Sequence, residues 1–194
     1  VAGPYCTKLL ADYGADVIKV ERPDDGDGSR RLGPFPGDAP HSEKSGLFLH
    51  LNTNKRSIAL DLKTDEGRKI VLELVKWSDV VVEGFRPGTM ERFGLGYELL
   101  REIRPGLVMT SISNFGQSGP YKDYRGSDIM FYGMGGEMYS TGLEDREPVK
   151  VGTHVILYQA GSAAAVGTMG AVLGARMQGI GQHVDVSIME TQIT

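Results

Sequence analysis

Arg56-Ser57-Ile58-Ala59-Leu60-Asp61-Leu62, a helical run from Asp65 to Trp77, and Asp79-Val80-Val81-Val82-Glu83 decide the fold. The first segment alternates apolar and polar residues, as a strand does. Thr64 then offers an N-cap oxygen, and Asp65 and Glu66 sit favourably in the first helical turn. Ile70, Val71, Leu74, Val75 and Trp77 follow at helical spacing. Asp79–Glu83 reads as a further strand, fully buried. Strand, helix and strand thus succeed one another within one short stretch.

The same alternation extends outward. Towards the N-terminus, Pro4 suits a helix start, Leu9, Leu10 and Tyr13 supply an apolar face, and Gly14 stops the helix. Ala15 to Glu21 reads as a strand, and residues 22–44 as a polar loop with several glycine and proline turn signals. Towards the C-terminus we expect helical pieces at Thr89–Arg92 and Tyr97–Ile103, then a strand at Leu107–Ile112. A helix at Asp128–Tyr139 with Gly135-Gly136 inside it, a long helix at Tyr158–Met177 and a strand at Gln182–Ile188 follow. This order predicts an α/β fold with a largely parallel sheet. The chain has no initiator Met, opens on a turn leading into a helix and stops at Ile193-Thr194 inside another. We therefore expect a fragment of a longer chain, without a secretory leader.

Composition narrows the function classes. The 194 residues hold 21 basic and 25 acidic side chains, a net charge of −4, so nothing draws the chain as a whole to nucleic acid. An anionic ligand would need local Lys or Arg. Cys6, the one cysteine, can make neither an internal disulfide nor a cysteine-based metal site, and the expectation is a reducing cytoplasm and no metal. Glycine, 27 of 194, is about twice its usual share of about 7%, and it falls in turns and in an apolar run rather than in a linker. That run, Val155 to Ala175, carries no charge and is long enough to span a bilayer. It is mostly Ala and Gly, weakly apolar on insertion scales, so a central helix packed on a sheet is the better account and no membrane is expected.

Three segments join glycine or proline to basic side chains near strand ends. They are Glu21-Arg22-Pro23 with Gly26 to Arg31, Asn54-Lys55-Arg56-Ser57, and Glu83 to Gly88. Ligands of open α/β sheets bind beyond the carboxyl ends of the strands. Arg22 and Arg86 lie just past two such ends, and guanidinium forks suit phosphate oxygens. A nucleotide-like anion and plain solvated loop charge both fit these residues. No single loop is a Walker or Rossmann fingerprint.

The motifs taken together are more specific. Ala2-Gly3-Pro4, Leu9 to Glu21, Gly26-Asp27, Asn52 to Lys63, Phe85-Arg86-Pro87-Gly88, Arg92-Phe93-Gly94-Leu95, Gly116 to Tyr121 and Gly179 to Ser187 resemble, in order and spacing, the class III CoA-transferases. This is the family of formyl-CoA and carnitine CoA-transferases and the related acyl-CoA racemases. The resemblance implies a Rossmann-like large domain, two chains interlocked like links into a homo- or heterodimer, and coenzyme A (as acyl-CoA) with a carboxylic acid as substrates. Residues 1–194 match the N-terminal part of that large domain, roughly the first half of a typical member without its opening strand. Positions matching the family's CoA contacts are Val1, Ala2, Arg22, Leu60, Lys63, Phe85, Arg92 and Arg125. Arg22, Lys63 and Arg92 would neutralise phosphate, while Phe85 and Leu60 would face adenine.

The resemblance also implies covalent catalysis. An Asp carboxylate attacks the acyl-CoA thioester, giving a mixed anhydride; the freed thiolate then gives an aspartyl-CoA thioester, from which CoA passes to an acceptor acid. That Asp stands just before Tyr158-Gln159-Ala160-Gly161, where this sequence has Leu157, and no Asp or Glu lies between Glu147 and Asp185. The racemase pairing of Asp with His is also missing, since the matching His position carries Ser127. His154 lies three residues from Leu157, but an imidazole there would run a different reaction. Cys6 reads as a small buried hydrophobe. Asp128 is the one carboxylate left near the expected thioester pocket, and it fits equally a helix N-terminal acid. Three expectations follow: the Asp-lacking half or subunit of an acyl-CoA:carboxylate CoA-transferase, a catalytically inactive CoA-binding pseudoenzyme, or an acyl-CoA enzyme of different chemistry on the same scaffold.

Overall fold

Two sets of parallel strands carry the chain, and the computed structural model describes residues 1–193 of it. Helix α1 (Ala2–Asp12) leads into β1 (Val17–Glu21), which pairs in parallel with β2 (Lys55–Ala59). Between them lie two short 3-10 turns and α2 (Gly46–Asn52). Then come α3 (Asp65–Val75), β3 (Val80–Glu83), α4 (Thr89–Arg92), α5 (Tyr97–Ile103) and β4 (Val108–Ser113). Helices α6 (Asp128–Met134), α7 (Glu137–Ser140) and α8 (Val155–Gln178) precede β5 (His183–Ser187). Strands β3, β4 and β5 form a second parallel sheet with β4 at its centre.

The Thr64 cap is present: its Oγ1 accepts the Gly67 N–H at 3.1 Å. Helices α4 and α5 span the residues that their sequence pattern marks. Helix α2 escaped that pattern. Ser45 caps it by accepting the Phe48 N–H at 3.1 Å, and Leu51 anchors it in the core.

The expected parallel α/β class holds, with the strands divided into two sheets and α1 packed against a strand of each. Three expectations are corrected. Asp79–Glu83 is not fully buried: Val80, Val81 and Val82 are half-buried, since β3 is an edge strand, whereas every residue of β4 is buried. The helix at 128–139 is broken into α6 and α7, because Gly136 has a φ of +94°, outside the helical region. The helix expected at the C-terminus is a 3-10 turn at Glu190–Gln192 followed by an extended Ile193; Thr194 lies outside the described residues.

Helix α8 is the axis of the main core. It packs on α1, β4 and β5, burying Ile156, Ala160, Gly161, Ala164, Thr168, Ala171 and Ala175. Small residues let the backbones close in. A Cβ on Gly161 would stand 2.7 Å from the Ala2 carbonyl oxygen, so only glycine allows this crossing. Thr168 donates to the Ala164 carbonyl at 2.6 Å and lies 2.7 Å from the Thr110 hydroxyl of β4, satisfying both buried hydroxyls. The helix is long and apolar enough to cross a membrane by length and composition, yet its small-residue face is packed against the sheet.

Candidate functional site

Within each sheet the parallel strands end on the same side, and the chain places most of the sequence-marked residues just past those ends. Beyond β1, Glu21 is buried and heavily bonded. Arg30 donates to both its carboxylate oxygens at 2.9 and 3.1 Å, the Ser57 hydroxyl donates at 2.8 Å and the Asp27 N–H at 3.0 Å. Burial alone would raise its pKa, but these donors and the Arg30 charge outweigh it and hold the carboxyl at about 2. Asp27 is pinned in turn by Lys19 Nζ at 2.5 Å and by the Ser29 N–H and hydroxyl, which hold its pKa well below the usual range despite burial. These bonds tie down the loop behind Arg22, while the Arg22 side chain is exposed and pairs, among the described residues, with an exposed Asp25 at 2.9 Å. Leu60 is joined to this strand end, its N–H donating to the Glu21 carbonyl at 2.9 Å. Lys63 is exposed on the turn that follows, where its N–H donates to Asp61 Oδ1 at 2.9 Å.

Beyond β3, Phe85 and Arg92 share one turn-and-helix unit. Phe85 is 42% exposed, with its ring edge-on to Phe93 at 5.9 Å between centroids. Arg92 is exposed and held by a 2.8 Å bond to Thr89 Oγ1. Val1 and Ala2 open α1, where Ala2 is buried against α8. Arg125 is exposed in the segment before α6.

Asp128 opens α6 and pairs with Lys150 at 3.2 Å. Lys150 Nζ also donates to the Val151 and Thr153 carbonyls at 2.7 and 2.9 Å, so it ties the segment before α8 to α6. Asp128 Oδ1 is buried and has no hydrogen-bond partner among the described residues. Leu157 is half-buried and packs on the cluster formed by Ile156, Phe131 and Tyr132. His154 is the half-buried N-cap residue of α8, without a side-chain cap bond. Cys6 is fully buried, and burial pushes its thiol up to about 11, so it packs as a small hydrophobe.

The structure joins Phe85 with Arg92, Leu60 with the strand end that bears Arg22, and Arg125 with Asp128 through short segments. No hydrogen bond links one of these sets to another among the described residues. Two groups were missed in the sequence. Tyr5, His50 and Tyr158 form an aromatic cluster beside Leu157, with Tyr5 and Tyr158 edge-on at 4.7 Å. Glu83, Ser111, His183 and Asp185 lie on one face of the second sheet. Neither has a local sequence signal, since each is assembled from distant elements.

Comparison with known proteins gives the family and the fold. The model of CoA-transferase family III matches residues 1–194. The succinate–glutarate CoA-transferase of Agrobacterium fabrum is 42% identical over 99% of this chain and 48% of its own length. The succinyl-CoA:mesaconate CoA-transferase of Haloarcula hispanica is 44% identical over 100% of this chain and 50% of its own. The crystal structure of a CaiB/BaiF family protein from Brucella suis superposes with a TM-score of 0.92 at 39% identity, covering 100% of this chain and 51% of that one. The chain spans about half the length of the curated relatives it matches. It belongs to CoA-transferase family III.

Proposed function

We propose that this chain is the CoA-binding part of an acyl-CoA:carboxylate CoA-transferase, and that a homologous chain in the same dimer supplies the nucleophilic Asp. Relatives named as CoA-transferases for succinate, glutarate and mesaconate support the reaction class. The observation that carries the second half is Leu157. Its alkyl side chain cannot form an anhydride, and α8 contains no Asp or Glu to replace it. Asp128 does not take over in this reading, because it opens α6 rather than standing at the α8 position of Leu157, and its Oδ2 is paired with Lys150.

In this reading Arg22, Lys63 and Arg92 meet the phosphates of CoA, Phe85 and Leu60 flank the adenine, and Val1, Ala2 and Arg125 complete the contacts. The buried Glu21–Arg30 and Lys19–Asp27 pairs keep the Arg22 loop in place, so little order is lost on binding. The lone buried Cys6 supports a reducing cytoplasm, and the packed inner face of α8 supports a soluble core helix rather than a membrane span.

The test uses the full-length protein with any chain that co-purifies. CoA titrated by calorimetry at low salt should bind, and Arg22→Ala and Arg92→Ala should each weaken it about tenfold, roughly 1.4 kcal/mol. Unchanged affinity in both variants overturns the contacts. Native mass spectrometry should show a heteromer whose other chain carries Asp at the position matching Leu157, and an acyl or CoA adduct on residue 157 itself would sink the reading. A CoA-binding homodimer without turnover would instead establish an inactive family member, the second reading that Leu157 favours.

A further inference from the structure

We infer that Glu83 is a positioning residue for the adenine end of CoA: its buried carboxyl fixes the backbone of the turn that carries Phe85 and leads into Arg92. This rests on the CoA-binding reading above and names a residue that reading did not contain.

Glu83 is the last residue of β3 and is 9% exposed. Its Oε2 accepts the Phe85 N–H at 2.7 Å. Gly84 stands between them and has no side chain to restrict the turn, so the carboxyl sets its shape. On the sheet side Glu83 lies opposite Ser111, which lies opposite Asp185. Across the strand pair the Ser111 hydroxyl faces Glu83 and favours its charged form, and Ser111 Oγ stands 2.8 Å from His183 Nε2. The Tyr97 ring stacks on His183 at 5.1 Å between centroids. Glu83 is therefore set against Ser111 of β4, which His183 of β5 holds in turn, while it grips the Phe85 N–H.

The contrast with Glu21 carries the argument. Glu21 ends β1 as Glu83 ends β3, and each accepts an N–H from the loop it introduces. Glu21 is neutralised by Arg30, whereas Glu83 makes no ion pair among the described residues. Burial pushes its pKa up, and the nearby charges of Glu91 on α4 and Asp185 on β5 push the same way. A buried carboxyl without a cation is costly, and an apolar residue would pack this strand end at less cost. What an apolar residue cannot do is accept the Phe85 N–H.

The test is CoA affinity of the full-length protein, with thermal melting to confirm folding, for wild type, Glu83→Gln and Glu83→Ala. The amide oxygen of glutamine still accepts the Phe85 N–H, so Glu83→Gln should stay within about twofold of wild type. Glu83→Ala orphans that N–H and should bind about tenfold more weakly. Adenosine 3′,5′-bisphosphate, the adenine end alone, should show the same ratio between variants, which a loss confined to the thioester end would not produce. Should Glu83→Ala fail to fold, Ser111→Ala releases one side of the grip and should weaken CoA about threefold. Glu83→Ala binding both ligands as tightly as wild type overturns the inference, as does Glu83→Gln binding as weakly as Glu83→Ala. Wild type failing to bind CoA removes the functional reading and this one together; wild type binding with an indifferent Glu83→Ala removes only this one.

Discussion

At the residue scale, two strand-ending glutamates with the same chemistry have pKa values shifted in opposite directions. Glu21 has Arg30, Ser57 and the Asp27 N–H around it, and its carboxyl is held at about 2. Its folded pKa lies below its unfolded value, so its stabilisation is complete above about pH 4.5 and is lost as the pH falls towards 2. Arg30→Ala should remove that stabilisation at neutral pH, costing about 3–5 kcal/mol by leaving a buried charge unpaired. It also removes the Arg30 guanidinium from the Phe48 ring, 3.6 Å away. Urea unfolding at pH 7 and pH 3 checks both points: the difference between wild type and variant should shrink at the lower pH. Cys6 gives a second prediction. Fully buried and with its thiol raised to about 11, it should resist alkylation at pH 8 in the native protein and react fully once denatured, as read by mass spectrometry.

At the scale of elements, helix propensity and packing disagree in a measurable way. Gly67 lies in the first turn of α3, where alanine is intrinsically favoured by about 1 kcal/mol. A Cβ there would stand 2.1 Å from the Asp61 carbonyl oxygen, a contact that no rotamer relieves. Gly67→Ala should therefore destabilise the protein, seen as a lowered thermal midpoint, against the sign that propensity alone predicts. Thr64→Ala, which removes the cap on the same turn, should cost about 1 kcal/mol in urea unfolding. The cap, the amphipathic α3 and the extents of α4 and α5 were legible because their signals are local. Helix α2 was not, because it is short and its Ser45 cap follows a long polar loop. The break between α6 and α7 was missed because a Gly-Gly pair is compatible with a continuous helix until the chain around it demands a left-handed residue at Gly136.

At the scale of the whole molecule, the contact of α1 with α8 connects the two sheets. Gly161→Val would push a branched side chain at the Ala2 carbonyl and the Tyr5 ring, already within 2.7 and 3.1 Å of a single added Cβ. We expect a loss of more than about 2 kcal/mol in stability, measured by urea unfolding. On the CoA-binding reading proposed above, CoA affinity should fall with it, since Val1 and Ala2 lie at the start of α1. The outer side of α8 has a different character: Val166, Met169, Leu173 and Met177 are all more than half exposed, which explains why the helix passes a length-and-hydropathy test for a membrane span while its inner face packs on the sheet.

The sequence by itself determined the order of the strands and of most helices, the parallel α/β class, the family and the alkyl residue at position 157, because periodicity, caps and motif spacing are written along the chain. Only the tertiary structure decided that the strands divide into two sheets, that Arg30 neutralises Glu21 while Glu83 makes no ion pair among the described residues, and that Lys150 holds Asp128. Strand pairing and desolvation depend on residues far apart in sequence, and no local pattern encodes which of them will meet.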